Sequence, residues 1–309
     1  MLPSTSSILS FIPRPLLPLA TKIIRFGPQS LALYSDYTTA LHITAALVSS
    51  TSHKSPFFPS LSRPFAPLPR PQFLHLRRTR KDVSTAGPTA AFCLLPVVGY
   101  FGVLGAFLKP RFFLSRQFYE DGEREKLGWE DVRARVENYG DVKECLRISG
   151  CDIGEVRRAL VNLGEGVEGD AKVNEVLKNF REKFELGSLS KKHLVALAAS
   201  RGINRWHEIF PLLSLYPRST LIKRLKEEAL DIKRDDWLIV NEVGGVEGEE
   251  RREAMVDRGI EKGAVEVLDL HVKVAGRDVG FLDGGEVEGT LCESLVLHLP
   301  IILPLPSNG

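Results

Sequence analysis

The chain has 309 residues, 43% of them hydrophobic and 26% charged, so it is long enough for one or two domains with substantial cores. Residues 1–81 hold ten Lys or Arg and one acid, a balance of +9, whereas the other 228 residues hold 31 basic and 38 acidic residues, a balance of −7. An acidic body excludes bulk nucleic-acid binding through net charge, although a local basic face remains open. Four cysteines without a CxxC spacing argue against a zinc site and a disulfide framework, and we expect reduced thiols, no metal and no cofactor.

The N-terminal arm, residues 1–82, is rich in Ser, Thr and Pro and ends in the basic run "HLRRTRK". A cationic N-terminus almost without acids is typical of an organellar transit peptide, and we predict a mitochondrial one. The alternative is a disordered basic tail on a cytosolic protein. Six prolines between positions 56 and 71 exclude a continuous helix or a central strand there, so we expect disorder.

An uncharged stretch follows, from Val83 to Leu108, and its core of 19 apolar residues, 90–108, predicts one transmembrane helix within 83–110. Small residues on one face predict self-association of this helix into a homo-oligomer, with simple flexibility as the alternative. The residues predicted to shape its packing are Pro96, Gly99, Gly102, Gly105 and Ala106. A buried globular helix is the alternative for the whole segment. No acidic or basic side chain lies in the stretch, which argues against ion transport by a single helix.

The body, residues 111–272, shows helical periodicity and almost no alternating pattern, so the predicted fold is all-α: one transmembrane helix followed by a multi-helix soluble domain. Asp152 and Ser190 are predicted N-caps, and Gly202 a helix terminator. Residues 266–272 fit a short helix or strand, and 273–309 a divergent tail rich in Gly and Pro. Helices are predicted over 129–139, 152–164, 171–187, 189–202, 218–232 and 248–258.

Four segments of the body resemble the LETM-type family of mitochondrial inner-membrane proteins: "LSKKHLVALAASRGI" (189–203), "TLIKRLKEEALDIKRDDWLIVNEVGGV" (220–246), "EAMVDRGI" (253–260) and "LDLH" (268–271). The resemblance implies a single-pass protein of the mitochondrial inner membrane, in contact with its lipids, with a C-terminal domain in the matrix. It also implies binding to the mitochondrial ribosome and a link to potassium/proton or calcium/proton exchange. From this we expect support of membrane-protein biogenesis and of cation (K⁺/H⁺) homeostasis, without binding to DNA. The coiled coil, the calcium loop and the membrane glutamate of longer members are missing.

Two adjacent carboxylates, Asp235 and Asp236, raise the question of a catalytic or metal-binding pair. Neighbours in sequence do not face each other on a helix, and no third ligand stands at a suitable spacing. We therefore predict that both aspartates cap or join two helices. His193 and His207 lack a nucleophile and an acid at a familiar spacing, so we expect that the protein is not an enzyme. His193 stands beside Lys191 and Lys192 on the polar side of its helix, so we place it on the surface.

Basic residues concentrate between positions 191 and 234 of the otherwise acidic body, and they predict a ribosome-binding face, with an ordinary solvated helix surface as the alternative. They are Lys191, Lys192, Arg201, Arg205, Arg218, Lys223, Arg224, Lys226, Lys233 and Arg234. The leading hypothesis is a membrane-anchored ribosome-binding protein. The alternatives are a cation/proton antiporter built from oligomerised spans and a soluble mitochondrial helical adaptor.

Overall fold

In the computed structural model the chain divides into two compact units. One comprises residues 1–59 with 71–127, and the other comprises residues 60–70 with 128–309. The described residues are 32, 34–40, 42–43, 69–79, 82, 119, 121–165, 171–203, 212–241, 248–277, 280–281, 287–288 and 292–303. The predicted transmembrane segment, 83–110, with its five packing residues, lies outside them. No helix among the described residues has the length and apolar character needed to cross a bilayer.

In the first unit, residues 71–79 are helical, as are the described residues between 32 and 43. The ring Nε2 of His75 lies 3.2 Å from the backbone oxygen of Asp36, which joins these two helical segments. Thr38 Oγ1 donates to the backbone oxygen of Ser35 one turn earlier. The first unit also includes the start of the helix at Asp121.

The second unit contains a succession of helices, which we number in chain order and which confirm the all-α prediction. They are α1 (Asp121–Glu137, which begins in the first unit), α2 (Tyr139–Ile148), α3 (Ile153–Gly164), α4 (Ala171–Lys183), α5 (Lys191–Ser200), α6 (Leu212–Leu215), α7 (Arg218–Asn241), α8 (Gly248–Arg258), α9 (Val265–Arg277) and α10 (Glu293–Ile302). Between α9 and α10, β1 (Gly280–Phe281) pairs antiparallel with β2 (Val287–Glu288).

Local sequence explains several helix ends. The Asp152 side chain accepts from the backbone N–H of Glu155 and caps α3, as predicted. Ser190 likewise accepts from the N–H of His193 and caps α5. Gly202 ends α5 with a φ of +65°, a left-handed conformation that glycine adopts without strain.

The core of the second unit is one cluster of apolar side chains from α2, α3, α4, α5, α7, α9 and α10, with a smaller cluster between α8 and α9. Helix α7 packs against both α9 and α10, so it lies at the centre of this arrangement. Residues 293–302, predicted to be part of a divergent tail, form a helix of this core. The side chains of α10 from Ser294 onward are buried.

Candidate functional site: a buried ion-pair cluster and an exposed basic face

Asp235 and Asp236 lie inside α7, six and five residues before its end at Asn241. The prediction that they cap or join two helices is wrong, because residues 218–241 form one continuous helix without an internal Gly or Pro. Asp235 is 1% exposed and Asp236 is fully buried. Asp236 follows the core residues Leu225, Ala229 and Ile232 at the three- and four-residue spacing of one helix face, so its burial follows from the apolar stripe.

Arg258, the last residue of α8, forms ion pairs with both aspartates. Its Nε donates to Asp236 Oδ1 at 2.9 Å and its Nη2 donates to Asp235 Oδ2, also at 2.9 Å. Its Nη1 donates to the backbone oxygen of Ala254 at 3.0 Å. The guanidinium is fully buried, and burial alone would lower its pKa, but the two aspartates raise that pKa above its usual value. Arg258 is therefore held charged inside the domain.

Arg70 supplies a second buried guanidinium. Its Nε donates to Asp235 Oδ1 at 3.2 Å, and its Nη1 donates to Glu250 Oε2 at 2.8 Å. Arg70 is only 5% exposed, whereas the Glu250 side chain is 55% exposed. The two aspartates thus meet two guanidinium groups in the interior, which is the condition under which buried charges are tolerated.

His271, on α9, completes this group of side chains. Its Nε2 lies 3.2 Å from Asp236 Oδ2, close enough for an ion pair but without the angle of a hydrogen bond. Burial lowers the pKa of His271 despite the nearby carboxylate, so we take the ring as neutral. Burial would raise the pKa of Asp236, but the charge of Arg258 holds it below its usual range. We call Arg70, Asp235, Asp236, Arg258 and His271 the buried ion-pair cluster.

The C-terminal end of α8 is held by three side chains from other helices. Arg201 Nη1 donates to the Arg258 backbone oxygen at 2.7 Å, and Arg135 Nη1 donates to that of Val256 at 3.0 Å. Tyr139 Oη donates to the Gly259 oxygen at 2.6 Å. Cationic side chains at these orphan carbonyls are favourable because they also oppose the negative end of the helix dipole.

Gly259 fits this junction for a specific reason. Its φ is +72°, and a Cβ there would lie 2.6 Å from Tyr139 Oη. Only a residue without a side chain permits both the left-handed turn and the close approach of the tyrosine. In the "RG" pair at 258–259, the arginine therefore forms the buried ion pairs and the glycine permits the turn.

The segments that carried the family resemblance meet at this junction. "AASRG" contributes Arg201, "KRDD" contributes Asp235 and Asp236, "VDRG" contributes Arg258, and "LDLH" contributes His271. The cluster has exposures of at most 5%, so its role is to fix α7, α8 and α9 together rather than to receive a ligand. Among the described residues, no group of three or more His, Cys, Asp or Glu side chains is arranged to hold a metal ion.

The predicted basic face is smaller than the sequence indicated. Arg201 (3% exposed) and Lys233 (5% exposed) are buried, so assigning them to an exposed face was wrong. Arg234 is half-buried, and burial lowers its pKa. Arg205 lies outside the described residues. The exposed basic face that remains consists of Lys191, Lys192, Arg218, Lys223, Arg224 and Lys226.

These six side chains belong to the N-terminal parts of α5 and α7. Arg218, the first residue of α7, donates through Nη2 to the backbone oxygens of Gly187 and, at 3.1 Å, Leu189, just before α5. The start of α7 is thereby fixed beside the start of α5, which carries Lys191 and Lys192. The guanidinium of Arg224 lies 5.0 Å from the centre of the Tyr216 ring, a cation–π contact that orients it.

Burial of His193 is a further correction, since the sequence placed it on the surface. His193 is 2% exposed, and its Nε2 lies 3.0 Å from Nε2 of His298, on α10. Burial lowers the pKa of His193 to about 4 and that of His298 to about 3, so both rings are neutral. The apolar character of residues 295–303 was visible in the sequence, but the partner of His193 was not.

The second unit is thus an all-α domain whose central helix is fastened to its neighbours by buried ion pairs. A family model described as LETM1-like, RBD matches residues 68–273, about two thirds of the sequence, and the chain belongs to this family. Comparisons with curated proteins and with solved structures found no match.

Proposed function

We propose that this protein binds the mitochondrial ribosome through the exposed basic face, and that it acts by binding rather than by catalysis. The family to which it belongs is named for a ribosome-binding domain. The observation that carries the proposal is the exposure of six cationic side chains at the adjoining ends of α5 and α7. A ribosome presents RNA phosphate, which Lys and Arg bind without regard to base sequence.

The buried ion-pair cluster and the exposed basic face have separate tasks in this proposal. The cluster holds α7 against α8 and α9, and the same helix carries Lys223, Arg224 and Lys226 about two and a half to three and a half turns before the aspartates. Lys223 and Lys226 are three residues apart and so are neighbours on the helix surface. Residues that identify the family would therefore hold the binding helix in place, while exposed residues make the contact.

The location we propose is the mitochondrial inner membrane. Residues before Arg70 would direct import, residues 83–110 would attach the chain to the lipid, and the helical domain, to which Arg70 belongs through its ion pair with Asp235, would face the matrix. The support is the uncharged stretch of the sequence together with the family membership. From there the domain would bring ribosomes to the membrane, favour insertion of membrane proteins, and through them influence K⁺/H⁺ homeostasis. Carbonate extraction of mitochondrial membranes tests the anchor, because an anchored chain stays in the pellet.

The direct experiment is co-sedimentation of the purified full-length chain with mitochondrial ribosomes across a salt series. If all six cations contact phosphate, affinity should fall about a thousandfold between roughly 50 and 200 mM salt. Fewer contacts give a proportionally shallower slope. Absence of co-sedimentation at low salt, or binding that does not change with salt, would contradict the proposal.

A further inference from the structure

The residues before the uncharged stretch, 83–108, are fixed to the helical domain through Arg70. Its Nε lies 3.2 Å from Asp235 Oδ1 on α7, and its Nη1 lies 2.8 Å from Glu250 Oε2 on α8. Arg70 is 5% exposed and Asp235 is 1% exposed, so the contact between them is enclosed by the domain. Separating the two would leave a buried charge without its partner, which is costly. Arg70 is therefore held beside α7.

The residues after the uncharged stretch return to the same group of helices. Arg135, on α1, donates through Nη1 to the backbone oxygen of Val256, near the end of α8, at 3.0 Å. Arg70 and the residues from 128 onward belong to one compact unit. Two atoms 3.2 Å apart cannot lie on opposite sides of a hydrocarbon layer about 30 Å thick. The chain between positions 70 and 128 must therefore end on the side of the membrane on which it begins.

Between these positions, only the uncharged stretch has the composition to enter a bilayer. Residues 71–82 carry four basic side chains, and residues 109–127 are rich in charged ones, which are costly at the centre of a membrane. One crossing within 83–108 would put Arg70 and α7 on opposite sides, which their ion pair excludes. Two crossings would take about 40 apolar residues, whereas this stretch has 26 residues in all. The stretch is thus too long in charge-free sequence to ignore the lipid and too short to cross it twice.

The charges at both ends of the stretch and the residues at its middle agree with a return to the same side. Arg80 and Lys81 precede it, and Lys109 and Arg111 follow it. Lys and Arg beside a membrane segment are enriched on its inner side, which is the matrix for this membrane, and the membrane potential opposes their export. Pro96 lies at the middle of the stretch, and a glycine follows three residues later, which are residue types that favour a reversal of the chain.

We propose that residues 83–110 enter the bilayer from the matrix side and leave it by the same side, so that Arg70 and the helical domain both lie in the matrix. The partner of this segment is a lipid bilayer into which it inserts without crossing. The inference rests on the membrane location proposed above, and it differs from the single-pass topology that the family resemblance implies. Its consequence is that no residue from 70 onward is accessible from the opposite side of the membrane.

The test places a new cysteine on either side of the stretch in the full-length chain. Gln72, exposed two residues after Arg70, and Lys178, exposed on α4, are replaced by cysteine in separate variants. Each variant is imported into mitochondria, the outer membrane is removed, and a membrane-impermeant maleimide is added before or after detergent. The unmodified chain gives the background from the native thiols. We expect Gln72→Cys and Lys178→Cys both to stay unlabelled until detergent is added, and both chains to remain in the pellet after carbonate extraction.

The outcomes separate this inference from the proposed location. Labelling of Gln72→Cys but not of Lys178→Cys before detergent would overturn the inference and leave the membrane location standing. Lack of label on Gln72→Cys even in detergent would also overturn it, because position 72, and Arg70 with it, would be missing from the mature chain. Release of the chain by carbonate would overturn the membrane location itself, and the inference with it.

Discussion

Replacing Arg258 with methionine removes the cation that holds Asp236 in the interior, while keeping a side chain of comparable length. Asp235 would retain Arg70, but Asp236 would keep only the neutral His271. An isolated buried carboxylate takes up a proton instead of staying charged. Protonating an aspartate with an ordinary pKa near 3.9 at pH 7 costs about 4 kcal/mol, which agrees with the loss of about 3–5 kcal/mol seen when one partner of a buried ion pair is removed.

Guanidinium denaturation of the full-length chain, followed by far-ultraviolet circular dichroism, measures this loss. The double variant Arg258→Met/Asp236→Leu should recover part of it, since the uncompensated carboxylate is gone. Arg147→Ala is the matched control, because Arg147 pairs with Glu144 on the exposed side of α2, and its midpoint should hardly change. If Arg258→Met lost less than about 1 kcal/mol, the cluster would not hold the domain together.

Acid should weaken the fold before its carboxylates titrate. In the folded chain, burial lowers the pKa of His193 to about 4 and that of His298 to about 3. In the unfolded chain both histidines have the ordinary pKa near 6.5, so below that pH the unfolded chain binds more protons than the folded one. Stability should be complete above pH 6.5 and decline toward pH 4 in denaturation midpoints, and a constant midpoint would refute this. Tyr139→Phe should cost about 1–3 kcal/mol, because the Gly259 oxygen loses its buried donor, and thermal unfolding checks it. The Cys151 thiol, with a pKa raised by burial to about 11, should alkylate roughly a hundredfold more slowly than a free peptide thiol at neutral pH, as mass spectrometry would show.

Helices with strong local signals were predictable from the sequence. Asp152 and Ser190 cap α3 and α5 as expected, and Gly202 ends α5, because these residues act on backbone groups within a few positions. The spacing of apolar residues also located α4 to within a few residues. Such features require no knowledge of distant partners.

The candidate site was harder to predict from the sequence, because its contacts join residues that are far apart in the chain. Asp236 and Arg258 are 22 residues apart, and Arg70 and Asp235 are 165 apart. The adjacent aspartates were predicted to be a helix cap, because burying two carboxylates costs much free energy unless cations pair with them, and the sequence did not show those cations. One signal was available, since Asp236 continues the face of Leu225, Ala229 and Ile232, which predicts an inward position.

For the exposed basic face, the sequence predicted too many residues, because it does not show which cationic side chains are buried. Arg201 and Lys233 share its charge but lie inside the domain, where composition alone cannot place them. The buried ion-pair cluster and the proposed contact residues are thus two different sets of residues, although helix α7 carries members of both. The proposed function requires that ribosome contact come from the exposed basic face and not from the buried ion-pair cluster.

Ribosome co-sedimentation of two charge-reversal variants tests that claim most directly. The first changes Lys223, Arg224 and Lys226 to glutamate on α7. The second variant, matched in charge, changes the exposed residues Arg158, Lys178 and Arg181 on α3 and α4 to glutamate. Circular dichroism first checks that both variants fold. We then expect the first variant to bind ribosomes about 100-fold or more weakly at low salt, and the second to bind as the unmodified chain does. Equal binding by the two variants would contradict it.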